Sequence, residues 1–371
     1  PNYSGKWNLP TVMQAEGAGN WPVPPFNGGE LWMWGRNQFG AIGQGNTTDP
    51  ISSPIQVGAL TNWLELSCSQ YYGIIGVSSD DSAWSWGSGA GGQLAQGSTT
   101  NYSSPVQIGS LTDWSKTDGG FYGPSGGLKT DGTLWLWGKG THGALGQGNT
   151  SDSFVPIQLG SLTTWIQFSA GYYYGGAVRS DNTLWMWGNG GLGKTGQNNT
   201  TNYSSPVQVG TLTNWLQVAV LYRHSAAVKT DGTIWSWGLN DRGQLGDGTT
   251  TNRSSPVQIG GLTNWSSVAL GFNFTLAIKT DGTLWGWGEN GQGQLGLGDK
   301  TDRSSPVQVG TQTYWTSVAG MSNSTGARTT ANTIFTWGFN DYGQLGHNNT
   351  TNYSSPVQVG ALTTWQLIRS N

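Results

Sequence analysis

The sequence predicts an all-β fold, a seven-bladed β-propeller of four-stranded antiparallel blades, and three observations carry that expectation. First, one unit recurs seven times, reading roughly L-W-x-W-G, then G-Q-L-G, then N-x-x-S-S-P-V-Q-V-G, then L-T-x-W. The Trp of its Trp-Gly step falls at Trp34, Trp86, Trp137, Trp187, Trp237, Trp287 and Trp337, and the period settles at 50 residues between Trp187 and Trp237. A period this long signals an array of multi-stranded units. Second, each unit holds four short β-prone runs separated by turn residues. Third, the two ends complement each other: the first unit begins at its third strand, Leu31-Trp32-Met33-Trp34, and the chain finishes on a lone first strand, Trp365-Gln366-Leu367-Ile368. The C-terminal strand, Trp365 to Arg369, is therefore expected to join the first blade and close the ring.

The fifth unit shows the elements in order. Trp215 to Ala219, Ser225 to Lys229, Thr233 to Trp237 and Ser255 to Ile259 are the four runs. Asp231-Gly232 joins the second and third as a two-residue hairpin turn, because both positions tolerate positive φ. Asp131-Gly132 and Asp281-Gly282 repeat it. Pro256 and its equivalents Pro54, Pro105, Pro156, Pro206, Pro306 and Pro356 cannot donate to a ladder, so the fourth strand lies at a sheet edge. Trp32, Trp84, Trp135, Trp185, Trp235 and Trp285 stand two residues before the Trp-Gly step, with Phe335 as the seventh of that set. Residues at i and i+2 share one side of a strand, so each sheet carries paired rings against its neighbour. Burying a ring fully contributes on the order of 4–6 kcal/mol as an upper bound. A packing role between blades is thus expected for the seven Trp-Gly tryptophans.

Only 9% of the 371 residues are charged, with a net charge of −3, while glycine numbers 61. That balance gives no electrostatic footprint for nucleic acid or for an anionic membrane surface. No apolar run approaches the roughly 18 residues of a membrane-spanning helix, and no basic, apolar signal segment opens the sequence. The single cysteine, Cys68, permits no internal disulfide. Two parts are expected: residues 1–28 as a strap or attachment segment outside the repeat, and residues 29–371 as the propeller.

The stretch Gly238-Leu239-Asn240-Asp241-Arg242-Gly243-Gln244-Leu245-Gly246, repeated from Gly288 and from Gly338, resembles the regulator of chromosome condensation repeat family, over about residues 29 to 371. The resemblance implies the seven-bladed fold and says much less about activity, since one fold hosts unrelated functions. Members include a nucleotide exchange factor for a small GTPase that also binds nucleosomes, a plant UV-B photoreceptor, and bacterial inhibitors of β-lactamase. The sequence departs from several of them. Leu221-Tyr222-Arg223-His224-Ser225 has Tyr where the photoreceptor pattern has Trp, and 16 Lys plus Arg scarcely supply the charged surfaces of an exchange factor or chromatin reader.

Enzyme activity is not expected, and neither a cofactor nor a metal. His142, His224 and His347 lie in different units outside any H-E-x-x-H or G-x-S-x-G pattern, and Asp247, Asp299 and Asp302 are loop acids without ligand-like clustering. The turn between first and second strands is more informative, because it varies where the rest repeats. Counted from the L-T-x-W Trp, it reads Gln70-Tyr71-Tyr72, Phe121-Tyr122-Gly123, Tyr172-Tyr173-Tyr174, Tyr222-Arg223-His224, Phe272-Asn273-Phe274 and Ser322-Asn323-Ser324. Aromatic loops on a rigid scaffold suit a binding surface. Tyr71, Tyr72, Phe121, Tyr122, Tyr172, Tyr173, Tyr174, Tyr222, Arg223, Phe272 and Phe274 are the candidate binding residues. The alternative is that these rings plug the channel mouth as an extension of the core. In a meander these turns emerge on the same face as the long polar loops, such as Asn198 to Tyr203.

Three functions follow. The first is a non-enzymatic structural or binding propeller on the virion surface or an appendage of a bacterial virus. Its partners would be other virion or surface proteins or a host surface ligand, with no nucleic acid, no membrane insertion and the oligomeric state left open. Ser4-Gly5-Lys6-Trp7-Asn8-Leu9, Gly19-Asn20-Trp21-Pro22 and Pro24-Pro25-Phe26 resemble leader segments of tailed-phage structural proteins. The second is a soluble or secreted inhibitor-like module that holds one protein through the aromatic face, outside or inside the cell. The third is a regulator of a GTPase.

Overall fold

The computed structural model describes residues 7–8, 29–69, 72–120 and 123–365. They form an all-β propeller of four-stranded antiparallel blades, six of which are complete. In the blade of the fifth repeat, Trp215–Val220, His224–Lys229, Ile234–Gly238 and Arg253–Gln258 pair in chain order. The fourth strand pairs only with the third, so Pro256 occupies the edge its missing N–H requires.

The remaining sheet corrects the expectation of seven four-stranded blades. It has three strands: Glu30–Gly35 in the middle, Ile51–Gln56 antiparallel on one side and Trp7–Asn8 parallel on the other. Because the first repeat enters at its third strand, its inner strands have to come from elsewhere in the chain. The C-terminal strand expected there lies outside the described residues beyond Trp365. What is described is a seam. Trp365 is buried with its ring 6.2 Å from that of Trp34, and its N–H donates to Asn332 O at 3.1 Å. Trp34 Nε1 donates to Gln344 O at 2.9 Å, and the Asn348 N–H to Ser52 O at 2.8 Å. The first sheet and the sixth complete blade thus touch although Trp34 and Gln344 are 310 residues apart in sequence.

Two devices explain why the repeat is so regular. Trp237 is fully buried and its Nε1 donates to Lys194 O of the preceding repeat at 2.9 Å. Trp86, Trp137, Trp187 and Trp337 reach back in the same way, to Ala41, Gln93, Ala144 and Gln294. Trp287 is equally buried, but its Nε1 has no acceptor among the described residues. The following glycine is required: Gly238 has φ +107°, and a Cβ there would lie 2.6 Å from Arg223 O.

The second device ties the hairpin to its ring. Asp231 Oδ1 accepts from the Thr233 N–H and hydroxyl, and Thr233 Oγ1 in turn accepts from Trp235 Nε1 at 2.9 Å. Asp131, Asp181 and Asp281 head the same relay to Trp135, Trp185 and Trp285. Lys229 lies 3.7 Å over the Trp235 ring and Lys279 the same distance over Trp285, covering faces that packing leaves half-open.

Consecutive first strands bond to one another, through Gln167 Nε2 to Val218 O at 2.8 Å and Gln217 Nε2 to Val268 O at 2.7 Å. That places them innermost, and the turns that follow them ring the centre of one face. No helix among the described residues is long and apolar enough to cross a membrane.

Candidate functional site

The turn register differs from the one counted in sequence. Tyr173 O accepts from the Asn189 N–H, Arg223 O from Leu239, Asn273 O from Glu289 and Asn323 O from Phe339, and in the first complete blade the matching acceptor is Tyr72 O, bonded by Ser88. Tyr72 therefore corresponds to Tyr173, not to Tyr174. The first two complete blades carry one extra residue before the second strand. The signal is in the sequence: 23 positions separate Trp63 from Trp86 and Trp114 from Trp137, against 22 between Trp165 and Trp187 or Trp215 and Trp237.

Tyr174 and Phe274 need correction as exposed binding residues, since both are fully buried. They open the second strands, Tyr174–Arg179 and Phe274–Lys279, which are covered by neighbouring blades on both faces. The Tyr174 hydroxyl donates to His224 O at 2.7 Å and accepts from Ser225 Oγ at 3.2 Å, and burial raises its phenol well above the ordinary value. Buried to this degree, the two rings have no surface to offer a partner. Tyr71, Phe121 and Tyr122 lie outside the described residues.

Apart from Tyr72, the remaining described turn aromatics, Tyr172, Tyr173, Tyr222 and Phe272, are half-buried and form a continuous chain. His142 meets Tyr173 at 5.6 Å between ring centres, Tyr173 meets Tyr172 at 4.6 Å, Tyr172 meets Tyr222 at 5.1 Å, and Tyr222 meets Phe272 at 4.9 Å. Arg223 is exposed, with its guanidinium 4.6 Å over the Tyr222 ring and donating to the Tyr222 hydroxyl at 3.0 Å. Backbone bonds stitch the turns together, from the Tyr172 N–H to Leu221 O and from the Phe272 N–H to Ser322 O. His142 belongs to the loop after a third strand, so the aromatic turns and the long loops do share a face. Tyr72 stands in a separate cluster, accepting from Arg36 Nη1 at 3.0 Å and touching Phe39.

One residue of this site escaped the sequence reading. Lys194 sits at the Gln position of the G-Q-L-G step, as Gly193-Lys194-Thr195-Gly196. Where the repeat has Gln244, Gln294 or Gln344, the side-chain oxygen accepts from the N–H two residues earlier. Lysine cannot accept. It turns beneath the rim instead, 3% exposed, donating to Tyr172 O at 2.9 Å and lying 4.6 Å from the Tyr174 ring centre and 5.3 Å from that of Tyr172. Desolvation, with a smaller contribution from the Arg223 charge, lowers its ammonium to about 7. Departure from the repeat consensus was the signal that could have found it.

The other titratable groups hold loops. His224 is fully buried with Nε2 3.0 Å from Thr275 Oγ1, and burial lowers it to about 3, so it stays neutral. Asp247 pairs with Arg253 at 2.7 Å and Asp299 with Arg303 at 2.6 Å, while Asp302 Oδ1 accepts from the Asn290 N–H. Among the described residues no group of three His, Cys, Asp or Glu side chains is placed to hold a metal.

Residues 123–370 match the family model described as the RCC1-like domain, and residues 28–75 and 80–120 match the regulator of chromosome condensation (RCC1) repeat. The chain belongs to the RCC1-like family. Among solved RCC1-like and related structures, human WBSCR16 superposes with a TM-score of 0.80 at 18% identity, covering 90% of this chain and 94% of the other. Yeast RCC1 (Prp20), solved bound to Kap60, gives 0.78 at 18% identity over 90% and 84%. These likenesses show the fold. Among curated relatives, HERC2 of Homo sapiens, an E3 ubiquitin-protein ligase, is 31% identical over 36% of this chain and 3% of its own length. The ultraviolet-B receptor UVR8 of Arabidopsis thaliana is 31% identical over 36% and 31% respectively. The match thus spans about a third or less of the length of these relatives.

Proposed function

We propose that this chain is a non-enzymatic, protein-binding RCC1-like propeller whose contact surface is the rim of Tyr172, Tyr173, Tyr222, Arg223 and Phe272. The carrying observation is the unbroken chain of half-buried rings with an exposed guanidinium stacked on it. Tyrosine gives contact area at low conformational cost, and Tyr and Arg dominate the energetics of protein contacts. The likeness to yeast RCC1, solved bound to Kap60 and elsewhere studied for binding to Gsp1p and histones, supports a protein partner over a small molecule. The scaffold under the rim is residues 29–371, closed into a ring by the seam at Trp34 and Trp365, with residues 1–28 as an attachment segment. The virion placement rests on low charge, the lack of an internal disulfide, a polar Asn/Thr surface, the regular repeat and the leader-like residues 1–28, and the binding reading does not depend on it.

The test is Tyr173→Ala and Arg223→Ala, each measured for partner capture and for melting temperature. A binding rim loses roughly 1–3 kcal/mol of affinity per substitution with little change in folding stability. Lost stability with capture intact would refute the proposal and favour the plug.

A further inference from the structure

The rim carries two cations that the fold itself does not neutralise. Arg223 and Lys194 form no ion pair with a carboxylate among the described residues, whereas Arg36, Lys129, Lys139, Arg179, Arg242, Arg253 and Arg303 all do. Among the described residues Lys116, Lys229, Lys279, Lys300 and Arg328 make no such pair either, but only Lys194 and Arg223 come together on the aromatic turns, close enough for the Arg223 charge to act on the Lys194 ammonium. Lys194 has three N–H donors and, among the described residues, one acceptor, Tyr172 O, with two tyrosine rings nearby. Removing an ammonium from water without a counter-charge is costly, and here the repeat consensus offers glutamine, which would avoid that cost.

Resting on the rim reading above, we propose that the rim docks an acidic protein segment, an apolar or aromatic side chain lying against Tyr172 and Tyr222 while an adjacent carboxylate pairs with Arg223 above the Lys194 ammonium. Ring contact and the hydrogen bond to the Tyr222 hydroxyl hold the guanidinium in place, which leaves its other N–H groups for a carboxylate. Facing Lys194 are the rings of Tyr172 and Tyr174 and the Arg223 charge, with no carboxylate of the described residues paired to it. An incoming carboxylate therefore favours the charged lysine and raises its proton affinity, coupling docking to proton uptake near pH 7.

The probes are three fluorescein-labelled pentapeptides with a central Trp flanked by Glu, by Gln or by Lys, read by fluorescence anisotropy on the full chain. We expect the Glu peptide to bind about tenfold tighter than the Gln peptide. Arg223→Glu should reverse the preference in favour of the Lys peptide. The affinity of the Glu peptide should fall as pH rises from 6 to 8 in the parent chain, and lose that dependence in Lys194→Gln, which places the repeat's own residue at that position. Equal affinity of the Glu and Gln peptides, or an unchanged preference in Arg223→Glu, overturns the acidic partner. Tyr222→Ala separates the two levels: if it weakens all three peptides equally while no charge preference exists, the aromatic rim stands and the carboxylate pairing falls.

Discussion

Replacing Trp287 with Phe should cost clearly less than replacing Trp237 with Phe, although both rings occupy the same place in consecutive repeats and both are fully buried. The two substitutions remove the same atoms, so the cavity and transfer contributions nearly cancel in the comparison. What differs is the indole N–H. In Trp237 it donates to Lys194 O, and losing a made bond of this kind costs about 0.5–1.5 kcal/mol. In Trp287 it is buried without an acceptor, so deleting it relieves a desolvation penalty of about 1–3 kcal/mol. The carbonyl left behind at Lys194 keeps its bond from Ser225 Oγ, so no new orphan offsets the comparison. A separation on the order of 2 kcal/mol follows. With an unfolding entropy of about 2.1 cal/mol/K per residue, a cooperative chain of 371 residues would show it as about 2–3 °C in melting temperature. Urea unfolding with matched m-values, backed by calorimetry, measures it. Equal stability of the two variants, or a less stable Trp287→Phe, would refute the reasoning that the inter-blade hydrogen bond is what distinguishes the sites.

Other outcomes follow from the same structure. Lys194 is lowered to about 7, so between that pH and the ordinary lysine value of about 10.4 the unfolded chain holds the extra proton and stability should rise with pH; Lys194→Gln should flatten that rise in pH-dependent denaturation curves. His224 is lowered to about 3 by burial, so stability should fall as pH drops from about 6.5 toward 3, and the acid limb should be shallower in His224→Gln. Trp365→Ala should open the seam at a cost of about 3–5 kcal/mol, whereas Leu362→Ala, 41% exposed, should stay within about 0.5 kcal/mol; similar melting temperatures would show that the seam is not part of the cooperative unit. Thr233→Val should cost about 1–3 kcal/mol by cutting the relay from Asp231 to Trp235, a loss readable in chemical denaturation.

Repetition made most of the architecture legible from the sequence by itself. Seven Trp-Gly steps, hairpin turns such as Asp231-Gly232 and the edge prolines are local signals, and local steric rules translate them directly into strands, turns and sheet edges. The chemistry of each sheet was therefore readable, and so was the placement of aromatics in the turns. The tertiary structure alone decided the fate of individual rings. Tyr174 and Tyr173 are neighbours of the same type, yet one is sealed between blades and the other lines the rim, because a single residue of register determines which of them opens the second strand. It also decided the first sheet, where Glu30–Gly35 takes Trp7–Asn8 in parallel and meets the sixth complete blade across Trp34 and Trp365. Such pairings join segments whose separation in sequence carries no periodic signal. Lys194 shows the same limit from the other side: its departure from glutamine is visible in the sequence, but only packing reveals that the ammonium lies beneath the tyrosines, where burial and the Arg223 charge set its proton affinity.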